Sequence, residues 1–199
     1  MVNININLFE EEPYSPGIVV VLIISIVLAC FGLSVYVPIA LGVALAGLIW
    51  FYRAPIINIP KYALQSNELY SPAYGTIESI SEVDGLYKVS IFLSVFDIHI
   101  QYFPVSGEVI DQTHSPYWVS TTIRNLLPQD KLVTVTQRIG YVARRISTPN
   151  CIGKHVHAGE RLGMIKFGSH VDLVFSKSYR LMVKVGDYVH GPNTLIAKQ

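Results

Sequence analysis

The chain has 199 residues, 15 basic and 14 acidic side chains, 15% charged residues and 51% hydrophobic ones, with a mean hydropathy of +0.41. That balance is too apolar for a disordered chain and lacks the basic excess of a dedicated nucleic-acid binder. The two distant cysteines, Cys30 and Cys151, argue against a disulfide framework and against a zinc site. Charge is unevenly placed: none of Asp, Glu, Lys, Arg or His occurs over the 40 residues from Pro13 to Tyr52. From Arg53 onward there are 15 basic and 11 acidic residues, a formal +4.

Residues 1–16 form a polar N-terminal segment, in which Glu10, Glu11 and Glu12 precede the apolar run and no Lys or Arg does. A secretory signal needs the opposite charge there and a shorter apolar core, so the run is read as membrane-inserting. As a single helix, residues 17–52 would measure about 54 Å, against a hydrocarbon core of about 30 Å. A break near Gly32–Ser34, or at Pro38, turns the run into a helical hairpin, either transmembrane or re-entrant. Trp50, Phe51 and Tyr52 followed by Arg53 have the composition of an interfacial belt with a cation just outside it. The basic residues that follow favour a cytoplasmic domain.

Residues 53–69 read as a linker, with turn signals at Pro55 and Pro60. From residue 70 to 199, short stretches rich in Val, Ile, Tyr and Phe recur between Gly, Pro, Asn and Asp. Strands are predicted over 76–80, 87–93, 107–110, 131–136, 141–146, 161–167, 171–175 and 194–197, and one helical piece over Tyr117–Leu127. The predicted class is therefore mostly β (α+β), an apolar helical hairpin followed by a β-rich domain. A weak repeat aligns Gly153–His157 and Leu162 with Gly186–His190 and Leu195. The second copy resembles the hairpins of biotinyl/lipoyl barrel-sandwich domains, but the lipoyl lysine is absent and carrier function does not follow.

Six ordered blocks carry a more specific resemblance. Phe51–Pro55 looks like FFRDP, and Ser71-Pro72-Ala73-Tyr74-Gly75 looks like SPADG. Ile91–Ser94, Asp97-Ile98-His99 and Pro104–Gly107 look like IFMS…DVH…PVSG. Gln137–Ile146, ending Ala143-Arg144-Arg145-Ile146, looks like QIAG…ARRI. Gly163–Ser169 with Val171-Asp172 looks like a processing site, and Gly186–Ala197 like a C-terminal VGQ…AG turn. Over Phe51–Ala197 the chain thus resembles the short, membrane-anchored, pyruvoyl-dependent phosphatidylserine decarboxylases. Departures are equally plain. Tyr74 replaces the SPADG aspartate, and the DVHVNR ending is Gln101-Tyr102, Tyr102 also filling the slot of a second histidine in some members. Tyrosine supplies no carboxylate at neutral pH.

Decarboxylating an α-amino acid leaves a carbanion that needs an electron sink. The resemblance implies a covalent pyruvoyl group made from Ser169. Its hydroxyl attacks the Gly168 carbonyl, the resulting ester eliminates, and hydrolysis releases ammonia, leaving chains 1–168 and 169–199. A serine hydroxyl needs a base, and His99, in the block matching the family's histidine segment, is the candidate. Asp97 shares its strand face at i, i+2 and could assist it or cap a turn. Asp97, Asp172 or a tyrosine network could stand in for the missing aspartate. Arg144 and Arg145 suit a phosphate or carboxylate, and His170, beside Ser169, is the third substrate-binding candidate. No metal set is expected. The implied partners are a phospholipid substrate, the membrane and the two cleavage chains with each other. A homo-oligomer is compatible with this, and nucleic acid is not expected. The expected location is the membrane, with the domain on its cytoplasmic side. The competing readings are an uncleaved, non-catalytic lipid-binding relative and a structural membrane protein with a lipoyl-like β domain.

Overall fold

The computed structural model describes residues 16–30, 35–53, 67–125, 131–140, 145–166 and 169–199. The chain divides into two compact units, Ile4–Ile56 and Ile57–Gln199 (the latter with Met1–Asn3). The first holds helices α1 (Pro16–Cys30) and α2 (Tyr36–Phe51), which contact each other. Pro16 opens α1, where its fixed φ suits the first helical position. Pro38 falls in the first turn of α2, where the missing N–H has no partner to lose. Polar groups are so scarce that Ser25 turns its hydroxyl back to the Val21 carbonyl, 2.7 Å away. Both helices are apolar on every side and expose that surface, with Val20, Ile23, Ile26 and Val43 each more than half accessible.

The expected transmembrane helix is corrected here. No helix among the described residues is long and apolar enough to cross a membrane. At about 1.5 Å per residue, 15 and 16 residues reach about 23 Å, short of a hydrocarbon core of about 30 Å.

The second unit is mostly β. Its described strands are β1 (Glu68–Tyr70), β2 (Gly75–Val83), β3 (Leu86–Leu93), β4 (Ile100–Tyr102), β5 (Gly107–His114), β6 (Trp118–Asn125), β7 (Leu132–Ile139), β8 (Arg145–Ser147), β9 (His155–Val156), β10 (Arg161–Lys166), β11 (Ser169–Ser176), β12 (Arg180–Leu181), β13 (Tyr188–Val189) and β14 (Leu195–Lys198). They form one eight-stranded sheet, ordered β13-β2-β3-β11-β7-β6-β5-β9, and two of three strands, β1-β14-β12 and β4-β10-β8. Alternation decides their faces. Val171, Leu173 and Phe175 on β11, and Val133 and Val135 on β7, point into one core with Leu69, Leu162, Ile165 and Ile196 from the small sheets.

The helix expected over Tyr117–Leu127 is strand β6. Val119, Thr121, Ile123 and Asn125 are buried while Ser120, Thr122 and Arg124 are not, a period of two. The strand is hydrogen-bonded on both edges, to β5 and β7. β1 starts at Glu68, inside the stretch read as linker.

The weak repeat in the sequence is the visible part of an internal two-fold duplication. The order of the large sheet reads symmetrically from both ends, β13 matching β9, β2 matching β5, β3 matching β6 and β11 matching β7. The small sheets match in the same way. Val189 pairs with Gly75 as Val156 pairs with Gly107. Gly186 and Asp187 exchange backbone bonds with Ile77 as Gly153 and Lys154 do with Val109. The register shifts at Ile77/Ser79 and at Val109/Asp111, equivalent places. The halves also clasp reciprocally, Tyr70 N–H donating to the Pro104 carbonyl (3.0 Å) and Tyr102 N–H to the Pro72 carbonyl (2.9 Å).

Close backbone approach explains the paired glycines Gly75 and Gly107. A Cβ at Gly107 would sit 2.3 Å from the Arg124 carbonyl oxygen, and one at Gly75 would sit 2.2 Å from that of Phe92. Gly153 has open space and needs only its positive φ of +77°. Gly107→Ala is therefore expected to cost about 3 kcal/mol through overpacking, and Gly153→Ala about 1 kcal/mol through backbone strain. Chemical denaturation in detergent checks the order, and a reversed order would contradict the packing described.

Candidate active site

β10 belongs to a three-stranded sheet and β11 to the eight-stranded one, so the chain changes sheet across the two residues between Lys166 and Ser169. Gly168 lies outside the described residues, and Ser169 is described only through its backbone. It opens β11 with register partners Leu93 on β3 and Ile139 on β7. The expected scissile link thus runs into a strand held on both edges.

His99 is fully buried. Its carbonyl accepts the Ile165 N–H (3.1 Å) and the Gln101 side-chain amide (2.7 Å). Ile165 is four residues before Ser169, and an extended chain covers at most about 3.6 Å per residue, so this anchor lies within about 14 Å of the Ser169 backbone. The ring is oriented by Nδ1, 2.8 Å from the Asp97 carbonyl. A carbonyl only accepts, so Nδ1 carries a proton and Nε2 is the basic nitrogen of the neutral ring.

Asp97 therefore serves His99 through its main chain. Its carboxylate closes a turn instead, accepting the Ser94 N–H (2.7 Å) and the Tyr188 hydroxyl (2.5 Å). Tyr188 stacks edge-on with His190 (5.0 Å between ring centres), His190 with Tyr74 (6.0 Å) and Tyr74 with Tyr102 (6.3 Å). A tyrosine and histidine chain thus runs from the position of the missing aspartate to the turn that holds His99. The phenols of Tyr74 and Tyr102 stay neutral. Burial raises the Tyr74 pKa, and burial, with Tyr74 beside it, pushes Tyr102 far above the usual range. Asp172 is engaged elsewhere. Lys88 (3.1 Å) and Arg138 (3.0 Å) pair with it, and Ser90 donates to it.

The substrate-binding candidates separate. Arg144 lies outside the described residues. Arg145 is exposed on β8 and is the register partner of Lys166, so two cations stand where β10 ends. His170 alternates with the core residue Val171 and takes the other face of β11. There its Nε2 pairs with Glu78 at 3.0 Å across the Phe92 ring of β3 (5.3 Å). Residues that sequence reasoning missed are Ser94, Gln101, Tyr188 and Gln137. Gln137 carried a signal: in the strand LVTVTQRI it falls on the same parity as buried Val133 and Val135, where an amide has no reason to be unless it is partnered.

If the Asp97 carboxylate is a turn cap, Asp97→Ala should cost about 1–2 kcal/mol and speed exchange of the Ser94 amide, while Asp97→Asn should retain most of both. Equal losses in the two variants, measured by urea unfolding and hydrogen exchange, would contradict the cap.

The chain is similar to known proteins over most of its length. The phosphatidylserine decarboxylase family model matches residues 47–197. The phosphatidylserine decarboxylase proenzyme of Symbiobacterium thermophilum is 33% identical over 190 residues, covering 83% of this chain and 87% of that one. Those of Solibacter usitatus and Chlorobium phaeobacteroides are 31% and 30% identical, covering 76% and 88% of this chain and 78% and 92% of theirs. No solved structure matches the chain. With the match running from the end of α2 to β14, the protein belongs to the phosphatidylserine decarboxylase family.

Proposed function

We propose that the chain is a phosphatidylserine decarboxylase that cuts itself between Gly168 and Ser169, turns Ser169 into a pyruvoyl group and converts phosphatidylserine to phosphatidylethanolamine. The observation that carries this reading is the anchoring of buried His99 to Ile165, on the strand that leads into the scissile link. In the reading, His99 takes the Ser169 hydroxyl proton at Nε2 as the oxygen attacks the Gly168 carbonyl carbon. That oxygen then leaves with Gly168 as part of its new carboxylate. The residues fit the group, since a serine at the first position of a doubly paired strand keeps its place after the cut. When formed, the pyruvoyl group supplies a ketone that condenses with the substrate amine and takes up the electron pair released with CO2. Arg145, its sequence neighbour Arg144 and Lys166 supply positive charge for the headgroup. His170, tied to Glu78, is left to link β11 to β2 across β3.

The exposed apolar surface of α1 and α2 supports a re-entrant, membrane-inserting pair over 17–52, entering from the cytoplasmic face, with 53–69 as linker and 70–199 as the decarboxylase-like domain. The duplicated hairpins support a barrel-sandwich arrangement of the lipoyl type. A second reading, an uncleaved lipid-binding relative, draws on Tyr74, a buried neutral phenol where the family has a carboxylate.

Full-length protein in detergent tests the proposal. His99→Ala should slow self-cleavage at least about 100-fold, and cleaved wild-type protein should release CO2 from phosphatidylserine vesicles. Cleavage of His99→Ala at the wild-type rate would remove His99 from the mechanism, and an intact chain that binds the vesicles without CO2 would select the second reading. Because β11 is paired with both β3 and β7, fragment 169–199 should co-elute with 1–168 on size exclusion and separate only in denaturant.

A further inference from the structure

The duplicated fold contains its own control for the surroundings of His99. The two-fold match places Asn67 opposite His99, and the Asn67 carbonyl accepts the Gln199 N–H (3.0 Å) as the His99 carbonyl accepts that of Ile165 (3.1 Å). Register then fixes the other equivalences. Leu69 pairs with Ala197 as Gln101 pairs with Gly163. Phe175 pairs with Tyr87 as Gln137 pairs with Val119. Leu181, the partner of Ala197, corresponds to Thr148, which follows Ser147 of β8.

The two sets differ completely in chemistry. Around Asn67 the residues are Leu69, Phe175, Leu181 and Ala197, three of them fully buried and Leu181 packed against the core. Around His99 they are Gln101, Gln137, Thr148 and Gly163, and they carry a chain of hydrogen bonds. The Thr148 hydroxyl donates to Gln137 Oε1 (2.8 Å), Gln137 Nε2 donates to Gln101 Oε1 (2.9 Å), and Gln101 Nε2 donates to the His99 carbonyl (2.7 Å). Gln101 and Gln137 are completely buried. Gly163 leaves the room they need: a Cβ there would lie 2.3 Å from Thr148 Oγ1 and 3.0 Å from Gln137 Nε2.

The fold itself closes with hydrocarbon at these positions, as the other half shows. Burying amides there forfeits hydrophobic gain and is tolerated only because each group is partnered. We infer that Gln101, Gln137 and Thr148 are positioning residues, a buried relay that fixes the main chain of His99 and with it the direction of the imidazole. The inference rests on His99 serving as the base of the proposed reaction. It deepens that reading by saying what holds the base in place.

The test replaces the relay with apolar groups like those of the other half, in Gln101→Leu/Gln137→Met/Thr148→Val, with Gln101→Met as a milder second variant. Three readouts are taken on full-length protein in detergent: the thermal midpoint, the self-cleavage rate, and the ring 15N and 13C resonances of His99 in an uncleavable Ser169→Ala background. The relay predicts a midpoint that is unchanged or raised, cleavage slowed at least tenfold, and His99 resonances shifted away from the Nδ1-protonated form. The other five histidines should keep theirs. Wild-type cleavage in a folded variant, or unchanged His99 resonances, would overturn it. So would a cleavage loss that only follows a lowered midpoint. Wild-type cleavage by His99→Ala would instead sink the base assignment, and the resonances alone would then decide whether the relay orients the ring.

Discussion

The bond from the Ile165 amide to the His99 carbonyl ties the segment bearing the imidazole to the strand that runs into the Gly168–Ser169 link. Much of the site follows from it. β10 ends in one sheet and β11 begins in another, so the link joins two separately hydrogen-bonded frames. On one side His99 is held at its carbonyl and at Nδ1. On the other, Ser169 is held by the strands flanking β11. A reaction between a side chain and its own preceding carbonyl needs that fixed geometry more than it needs a large pocket.

The two halves of the β unit share backbone, bulges and paired glycines, yet only one carries a histidine at the anchored position. Shared features are those that the fold demands: close approach at Gly75 and Gly107, and positive φ at Gly153 and Gly186. The differences gather around His99, where apolar packing gives way to partnered amides. The replacement of the family's aspartate by Tyr74 sits in the same region. From Tyr74 a chain of rings leads through His190 to Tyr188, whose hydroxyl donates to Asp97. That contact crosses the proposed cut, since Tyr188 belongs to 169–199 and Asp97 to 1–168.

The longer strands β2, β3, β10 and β11 were legible as runs rich in Val, Ile, Tyr and Phe between turn residues. β4, β9, β12 and β13, of two or three residues, are too short to show a period. Tyr117–Leu127 invited a helix because no Gly or Pro interrupts it, but β-branched Val119, Thr121, Thr122 and Ile123 suited a strand edge-bonded on both sides. The repeat showed at its glycines, valines and histidines, but register matches Leu162 with Ile196 rather than with Leu195, and Leu69 against Gln101 and Phe175 against Gln137 hide the equivalence of other core positions. Ser169 and His99 stood in recognisable blocks. Gln101 and Gln137 stood in such blocks too, but their joining with Thr148 was not legible, because the three residues meet only in the folded sheets. The apolar run and its division into two helices followed from composition and length, but each described helix is shorter than a membrane span.

The intact mass of the purified protein under denaturing conditions tests the central claim most directly. The account predicts two chains, 1–168 and 169–199, the smaller beginning in a blocked ketoacyl group with the nitrogen of Ser169 lost as ammonia. A single chain of 22.2 kDa, or a cut at any other peptide bond, would contradict it.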